Sequence, residues 1–194
     1  MANKLKNIFL SASIPLKERN PIYYDTADVI AIRDCVSSLA KVVLPKCRLI
    51  WGGHPSITPL ISSVLESLDV DVAEHVYLYQ SEYFRKMFPV ENENFSESLI
   101  VTDDIGSRDE SLALMREEMI TENDFISGIF VGGMDGVEDE YEIFTAAHPN
   151  ALILPMASTG AAALKLFESG SFEGSLKDDY AYIALFYRLF EDYL

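Results

Sequence analysis

The chain has 194 residues, 49% of them apolar and 24% charged, and its 15 Lys and Arg against 31 Asp and Glu give a formal charge of −16. A composition this close to the globular average, in a chain long enough to bury on the order of 70% of its unfolded surface, excludes a disordered, collagen-like or disulfide-scaffold protein. The acidic balance excludes nucleic-acid backbones and anionic membranes as partners, and leaves room for a small anion held by local backbone N–H groups. Lys4 and Lys6 precede Ile8-Phe9-Leu10, a run too short for a signal-peptide core, and no window has the length of a membrane span. Cys35 and Cys47 suggest no disulfide framework and read as small buried thiols, so a cytoplasmic protein is expected.

In chain order, short apolar runs alternate with amphipathic stretches. Asn7–Ser11 reads as a buried strand, and Asp25–Val43 as a helix capped by Asp25 or Thr26 and stopped by Pro45. Strand Arg48–Trp51, helix Ile57–Leu68, strand His75–Tyr79 and strand Leu99–Val101 follow. Then come helix Ser111–Ile120, strand Ile126–Val131, helix Val137–Ala147, strand Ala151–Leu154 and helix Gly160–Glu168. The segment 82–97 lacks periodicity and reads as a lid or a surface excursion. The aromatic-rich stretch 178–193 reads as a helix apolar nearly all round, packing on the sheet or joining a second copy. Strands alternating with helices over one domain, 1–194, predict a Rossmann-like, doubly wound α/β fold: a mainly parallel sheet with helices on both faces. Ligands of such sheets bind beyond the carboxyl ends of the strands, which singles out the loops after Leu10, Trp51 and Val131.

Those three loops share a chemistry. After the first strand, Ser11-Ala12-Ser13 offers small side chains and two hydroxyls able to donate to phosphate oxygens. After the second, Gly52-Gly53-His54 runs into a helix, with His54 a ligand contact or a structural hydrogen-bonder. After the fifth, Gly132-Gly133-Met134-Asp135-Gly136 repeats the design, with Asp135 and Glu138 spaced as a capping box. The paired glycines are expected to expose amides that converge into one cradle for a phosphorylated sugar. Glu140, one turn beyond Gly136, suits a ribose, whose hydroxyls donate to carboxylates. No Gly-x-Gly-x-x-Gly fingerprint, P-loop or nucleophile elbow is present, and the three histidines have no metal-ligand spacing with the cysteines, so neither a metal nor a cofactor is expected.

Ser-x-Ser-Ile-Pro, Trp-Gly-Gly-His-Pro-Ser-Ile-Thr-Pro, Met115-Arg116 and Gly-Gly-Met-Asp-Gly-Val-Glu-Asp-Glu-Tyr follow one another in an order that resembles the SLOG superfamily over roughly residues 7–165. That superfamily joins sensory domains to the Lonely-Guy phosphoribohydrolases, and the likeness is nearest to its stand-alone or TIR-associated branch beside bacterial defence genes. The resemblance implies a Rossmann-like domain for nucleotides or nucleotide-derived sugars. The enzymes carry Pro-Gly-Gly-x-Gly-Thr-x-x-Glu. Here Gly132 and Gly133 match its double glycine, Val131 replaces the proline, and one extra residue precedes Gly136. Val137 replaces the threonine, and Glu140 falls on the glutamate that acts at the ribose. Arg116 lies about one residue from the arginine that those enzymes place on the preceding helix.

Two functions are open on these residues. One is sensing of ADP-ribose, a cyclic relative or an NAD-related ligand in bacterial defence-type signalling, with a TIR-type or other effector as partner. The other is hydrolysis of an N-glycosidic bond, with Glu140 and Arg116 catalytic. In either, Ser11, Ser13, Gly52, Gly53, His54, Arg116, Gly132, Gly133, Met134, Gly136 and Glu140 are the candidate ligand contacts, and a homodimer or higher oligomer is expected. A third possibility is a vestigial site in a protein that works by association.

Overall fold

Residues Ile8, Phe9 and Leu10 are all buried, the signature of a strand covered on both faces. They lie at the centre of a six-stranded, all-parallel sheet in the computed structural model, which describes residues 5–193. Met1–Lys4 and Leu194, and with them the ends of the stretch 1–194, lie outside the described residues. The strands are β1 (Lys6–Ser13), β2 (Cys47–Gly52), β3 (Val76–Ser81), β4 (Leu99–Thr102), β5 (Phe125–Gly132) and β6 (Leu152–Met156), in the order β4-β3-β2-β1-β5-β6. β1 aligns Leu10 with Trp51 on one side and with Ile129 on the other. Strand order therefore reverses beside β1, and the crevice of this Rossmann-like α/β fold opens above the carboxyl ends of β1 and β5.

Alternation along each strand divides the apolar side chains between two layers. Ile8, Leu10, Leu49, Trp51, Ile129 and Val131 face helices α2 (Val29–Val43), α3 (Thr58–Leu65) and α9 (Tyr182–Leu189). Phe9, Ile50 and Phe130 face α5 (Arg108–Thr121), α6 (Asp135–Ala147) and α7 (Ala161–Ser169). On that second face Phe144 stacks on Phe9 at 5.1 Å, lies tilted against Phe125 and meets Phe130 edge to face. Gly128 admits it, since a Cβ there would stand 2.6 Å from the Phe144 ring. Short helices α1 (Pro21–Tyr24), α4 (Val72–His75) and α8 (Ser175–Asp178) fill connections. Among the described residues no helix is long and apolar enough to cross a membrane.

Two expected helices start or break elsewhere. The helix expected from Asp25 begins at Val29, because the N-cap is Asp28, whose carboxylate accepts the Ala31 N–H at 2.9 Å. Thr26 is held instead against the turn before α7, its hydroxyl accepting the Ala161 N–H at 3.1 Å. The helix expected over 178–193 is confined to Tyr182–Leu189. Asp179 is extended and accepts the Ala181 N–H at 2.8 Å, a local turn that ends α8 and starts α9 afresh. Tyr182, Leu185 and Phe186 of α9 are buried, the helix packing along α2 rather than directly on the sheet, whereas Tyr180, Ile183 and Tyr187 are exposed.

Candidate functional site

A cleft of about 310 Å³ opens where the switch point predicts, over the ends of β1, β2 and β5. Ser13, Gly52, Gly53, His54, Arg116, Met134, Gly136 and Glu140 line it. Gly52 and Gly132 end parallel strands, so both glycine pairs lie at the same edge of the sheet. Ser11, Gly132 and Gly133 stand behind the cleft and hold its walls.

Glu140 is the centre of a network formed by three elements. Its Oε2 accepts a 2.6 Å hydrogen bond from the Ser11 hydroxyl of β1, and its Oε1 accepts one from Arg116 Nε of α5 at 3.4 Å. Arg116 also donates from Nη1 to Asp139 at 3.0 Å. The Glu140 and Arg116 side chains keep only 14% and 17% of their surface exposed, whereas Asp139 keeps 58%. Burial pushes the Glu140 carboxyl up from its ordinary value, against the opposing pull of the Arg116 charge and the Ser11 hydrogen bond. Each carboxylate oxygen retains acceptor capacity beyond the bond it already takes, so the group can receive ligand hydroxyls. Ser11, expected to donate to a phosphate, is thus committed to Glu140. Gly136 makes room for the arginine: a Cβ there would lie 2.6 Å from Arg116 Nη2.

The glycine turns differ from the expected amide cradle. Gly132 and Gly133 adopt φ +55° and +84°, the left-handed region that glycine enters without strain. Their N–H groups are occupied inside the fold, Gly132 on Thr159 Oγ1 and Gly133 on the Ser13 carbonyl, both at 2.8 Å. The Gly53 N–H likewise continues the sheet onto Tyr79 at 2.9 Å, and its carbonyl accepts the Gln80 side-chain amide at 2.6 Å. The N–H groups of Gly53, Gly132 and Gly133 are therefore committed inside the fold and shape the backbone. Asp135 and Gly136 in the first turn of α6 also line the cleft, at positions whose N–H groups a helix does not satisfy internally, and the N-cap, Met134, supplies no side-chain bond. The expected capping box of Asp135 with Glu138 is absent, because the helix starts one residue earlier. Asp135 pairs with Arg19 at 3.7 Å and Glu138 with Lys165.

His54 lines the cleft and is the structural hydrogen-bonder that its sequence context allowed. Its Nδ1 accepts the Ser56 N–H at 3.2 Å and lies 2.8 Å from the Ser56 hydroxyl. An Nδ1 used as acceptor leaves the proton of the neutral ring on Nε2. Burial, with a smaller contribution from the Arg19 charge, pushes its pKa down to about 4, so the ring is neutral at physiological pH.

Several lining residues were not foreseen. Arg108, Leu112, Met115 and Arg116 form one stripe of α5 at helical spacing, and the expected start at Ser111 cut off its first member. The overlooked signal is Ser107-x-x-Glu110, a capping box in which the Glu110 N–H donates to Ser107 Oγ at 3.3 Å and the Ser107 hydroxyl lies 2.6 Å from Glu110 Oε2. Arg19 arrives from the loop after β1, and Gln80 from β3. The aperiodic stretch after β3 forms two 3-10 turns, Glu82–Met87 and Val90–Phe95, and contributes Phe84, Met87 and Pro89 to the cleft.

A doubly wound parallel sheet, with a carboxylate–arginine network at its switch point and three arginines around the opening, defines a Rossmann-like domain that binds or processes nucleotide-related ligands. The chain belongs to the SLOG cluster3 family, whose model matches residues 22–190. No curated protein matches the chain.

Proposed function

We propose that the cleft binds a ribose-containing nucleotide, of the ADP-ribose, cyclic ADP-ribose or NAD-derived type, and that the chain is a sensing module in bacterial defence-type signalling. The observation that carries this reading is the Ser11–Glu140–Arg116 network on the cleft wall. It holds a carboxylate in a fixed direction for ribose hydroxyls, while Arg19 and Arg108 bring positive charge for phosphates to a chain of −16. Val137 favours binding without turnover. It occupies the threonine position of the resembling enzymes and packs against the Gly133 turn instead of presenting a hydroxyl. The exposed side of α9 serves as the surface for a second copy, and a TIR-type effector is the expected downstream partner. Calorimetry with ADP-ribose, cyclic ADP-ribose, NAD and adenosine monophosphate tests the reading. Binding of one of them tighter than about 1 mM supports it, and heat from none of them at that level refutes it.

One observation favours hydrolysis as a second reading: a carboxylate largely out of water and fixed in place by Ser11 and Arg116 suits stabilisation of an oxocarbenium-like centre. Chromatography of free base after incubation with nucleoside monophosphates or NAD decides between the two. Base release abolished by Glu140→Ala supports hydrolysis, and release unchanged by that substitution removes Glu140 from the reaction.

A further inference from the structure

The cleft has two chemically distinct ends. Glu140, Gly136 and Arg116 gather at the β1–β5 side. At the other side the chain leaves β3 into the turn Glu82–Met87, and Phe84, Met87 and Pro89 face the same cleft, with Leu112 of α5 also on its lining. From β3 to β5 there are three interstrand steps, roughly 14 Å. That span exceeds a sugar ring and suits a nucleoside lying across the strand ends.

This apolar side is built into the fold at both of its ends. Ser81, fully buried at the end of β3, accepts the Tyr83 N–H and starts the turn. Farther on, Phe95 is buried edge-on against Trp51 at 5.4 Å, and the Asn94 side-chain amide donates to Ser62 Oγ of α3 at 2.8 Å. Between these anchors Met87 is 63% exposed, an apolar side chain that the protein's own packing leaves largely uncovered beside the cleft. Aromatic and thioether side chains flanking a cleft whose other end is charged are the surroundings that a planar heterocycle attached to a polar sugar takes.

We infer that Phe84 and Met87 form the base-recognition wall of the site, so that the ligand lies with its heterocycle on the 82–89 segment and its ribose at Glu140. The inference rests on the proposed nucleotide reading and adds to it the direction of the ligand and the residues that select for a base. Stacking of this kind tolerates different bases, since each presents a flat face.

Calorimetry on the full chain with adenosine monophosphate and ribose 5-phosphate tests it, using the wild type, Phe84→Ala and Met87→Ala. The wild type should bind the nucleotide about tenfold or more tightly than the sugar phosphate. Each substitution should reduce nucleotide affinity by about tenfold and leave the sugar phosphate unchanged. The exposed Met87 makes its substitution safe for folding, so a loss there does not come from a collapsed wall. Equal affinity for the two ligands in the wild type, or variants that retain the wild-type preference, overturns the wall while the nucleotide reading stands. Binding of neither ligand overturns the wall as drawn, and the nucleotide reading falls with it only if ADP-ribose, cyclic ADP-ribose and NAD give no heat either.

Discussion

Replacing Arg116 by methionine keeps an apolar stem against α5 and removes the guanidinium from a carboxylate that is largely out of water. Removing one partner of a fully buried pair destabilises by about 3–5 kcal/mol. Here the two side chains keep 14% and 17% exposure, the Ser11 hydroxyl continues to donate, and the exposed Asp139 loses little. The expected loss near pH 8 is therefore about 2 kcal/mol, or roughly 4–8 °C in melting temperature for a chain of this size. The loss should depend on pH with a definite sign. The Glu140 carboxyl is already raised in the folded state, so its contribution to stability is fully present below the unfolded carboxylate value and is lost as pH rises through the folded one. Without Arg116 the folded value moves higher still, and the deficit of the variant grows from pH 5 to pH 8. Urea denaturation across that range, followed by fluorescence of the single buried Trp51, measures it directly. Glu140→Gln in the same background should recover most of the lost stability. A deficit that is the same at both ends of the range, or no deficit at all, refutes the view that Arg116 compensates a desolvated Glu140.

His54, pushed down to about 4, should show a ring-proton NMR midpoint near that value. Its neutral burial should make the protein lose stability as pH falls from about 6.5 toward 4, a slope that His54→Asn reduces, and a midpoint near 6.5 would contradict the buried ring. Gly136→Ala places a methyl against the Arg116 guanidinium while improving helix propensity by up to about 1 kcal/mol. Stability should therefore change by less than about 1 kcal/mol, and calorimetry should show nucleotide affinity falling about tenfold. Light scattering at micromolar concentration should give a dimer, and Tyr187→Glu on the exposed face of α9, where the side chain is 59% exposed, should give a folded monomer whose melting temperature no longer depends on protein concentration.

The central strands were legible because burial on both faces leaves a continuous apolar run, as in Ile8-Phe9-Leu10 or Leu49-Ile50-Trp51. Helix limits were less legible where a cap competes with a neighbour. Asp25 and Asp28 are both capable N-caps, and only the docking of Thr26 on the turn before α7 selects the second. Glycine spacing led to the correct edge of the sheet and to Glu140, but not to the destination of the amides. Gly132 reaches Thr159 across 27 positions, and nothing local in either segment announces that bond. For the same reason Arg19, Arg108 and Phe84 were missed. They come from loops or a helix start, and only the tertiary fold assembles them with Arg116.

The charges around the cleft explain how so acidic a chain can hold an anion on the proposed reading. Three of its seven arginines line the opening, and each already faces a carboxylate: Arg19 on Asp135, Arg108 on Asp109, Arg116 on Glu140 and Asp139. Asp135 and Asp109 are 70% and 88% exposed, so their ion pairs are screened and easily exchanged. The Arg116–Glu140 pair is not, because separating it would strand a carboxylate out of water. On that reading a phosphate entering the cleft would take over Arg19 and Arg108 and leave Arg116 in place, so that the ribose would meet a carboxylate whose position does not change on binding. Anion affinity on that reading would reflect the difference between a phosphate pair and a weak, screened surface pair.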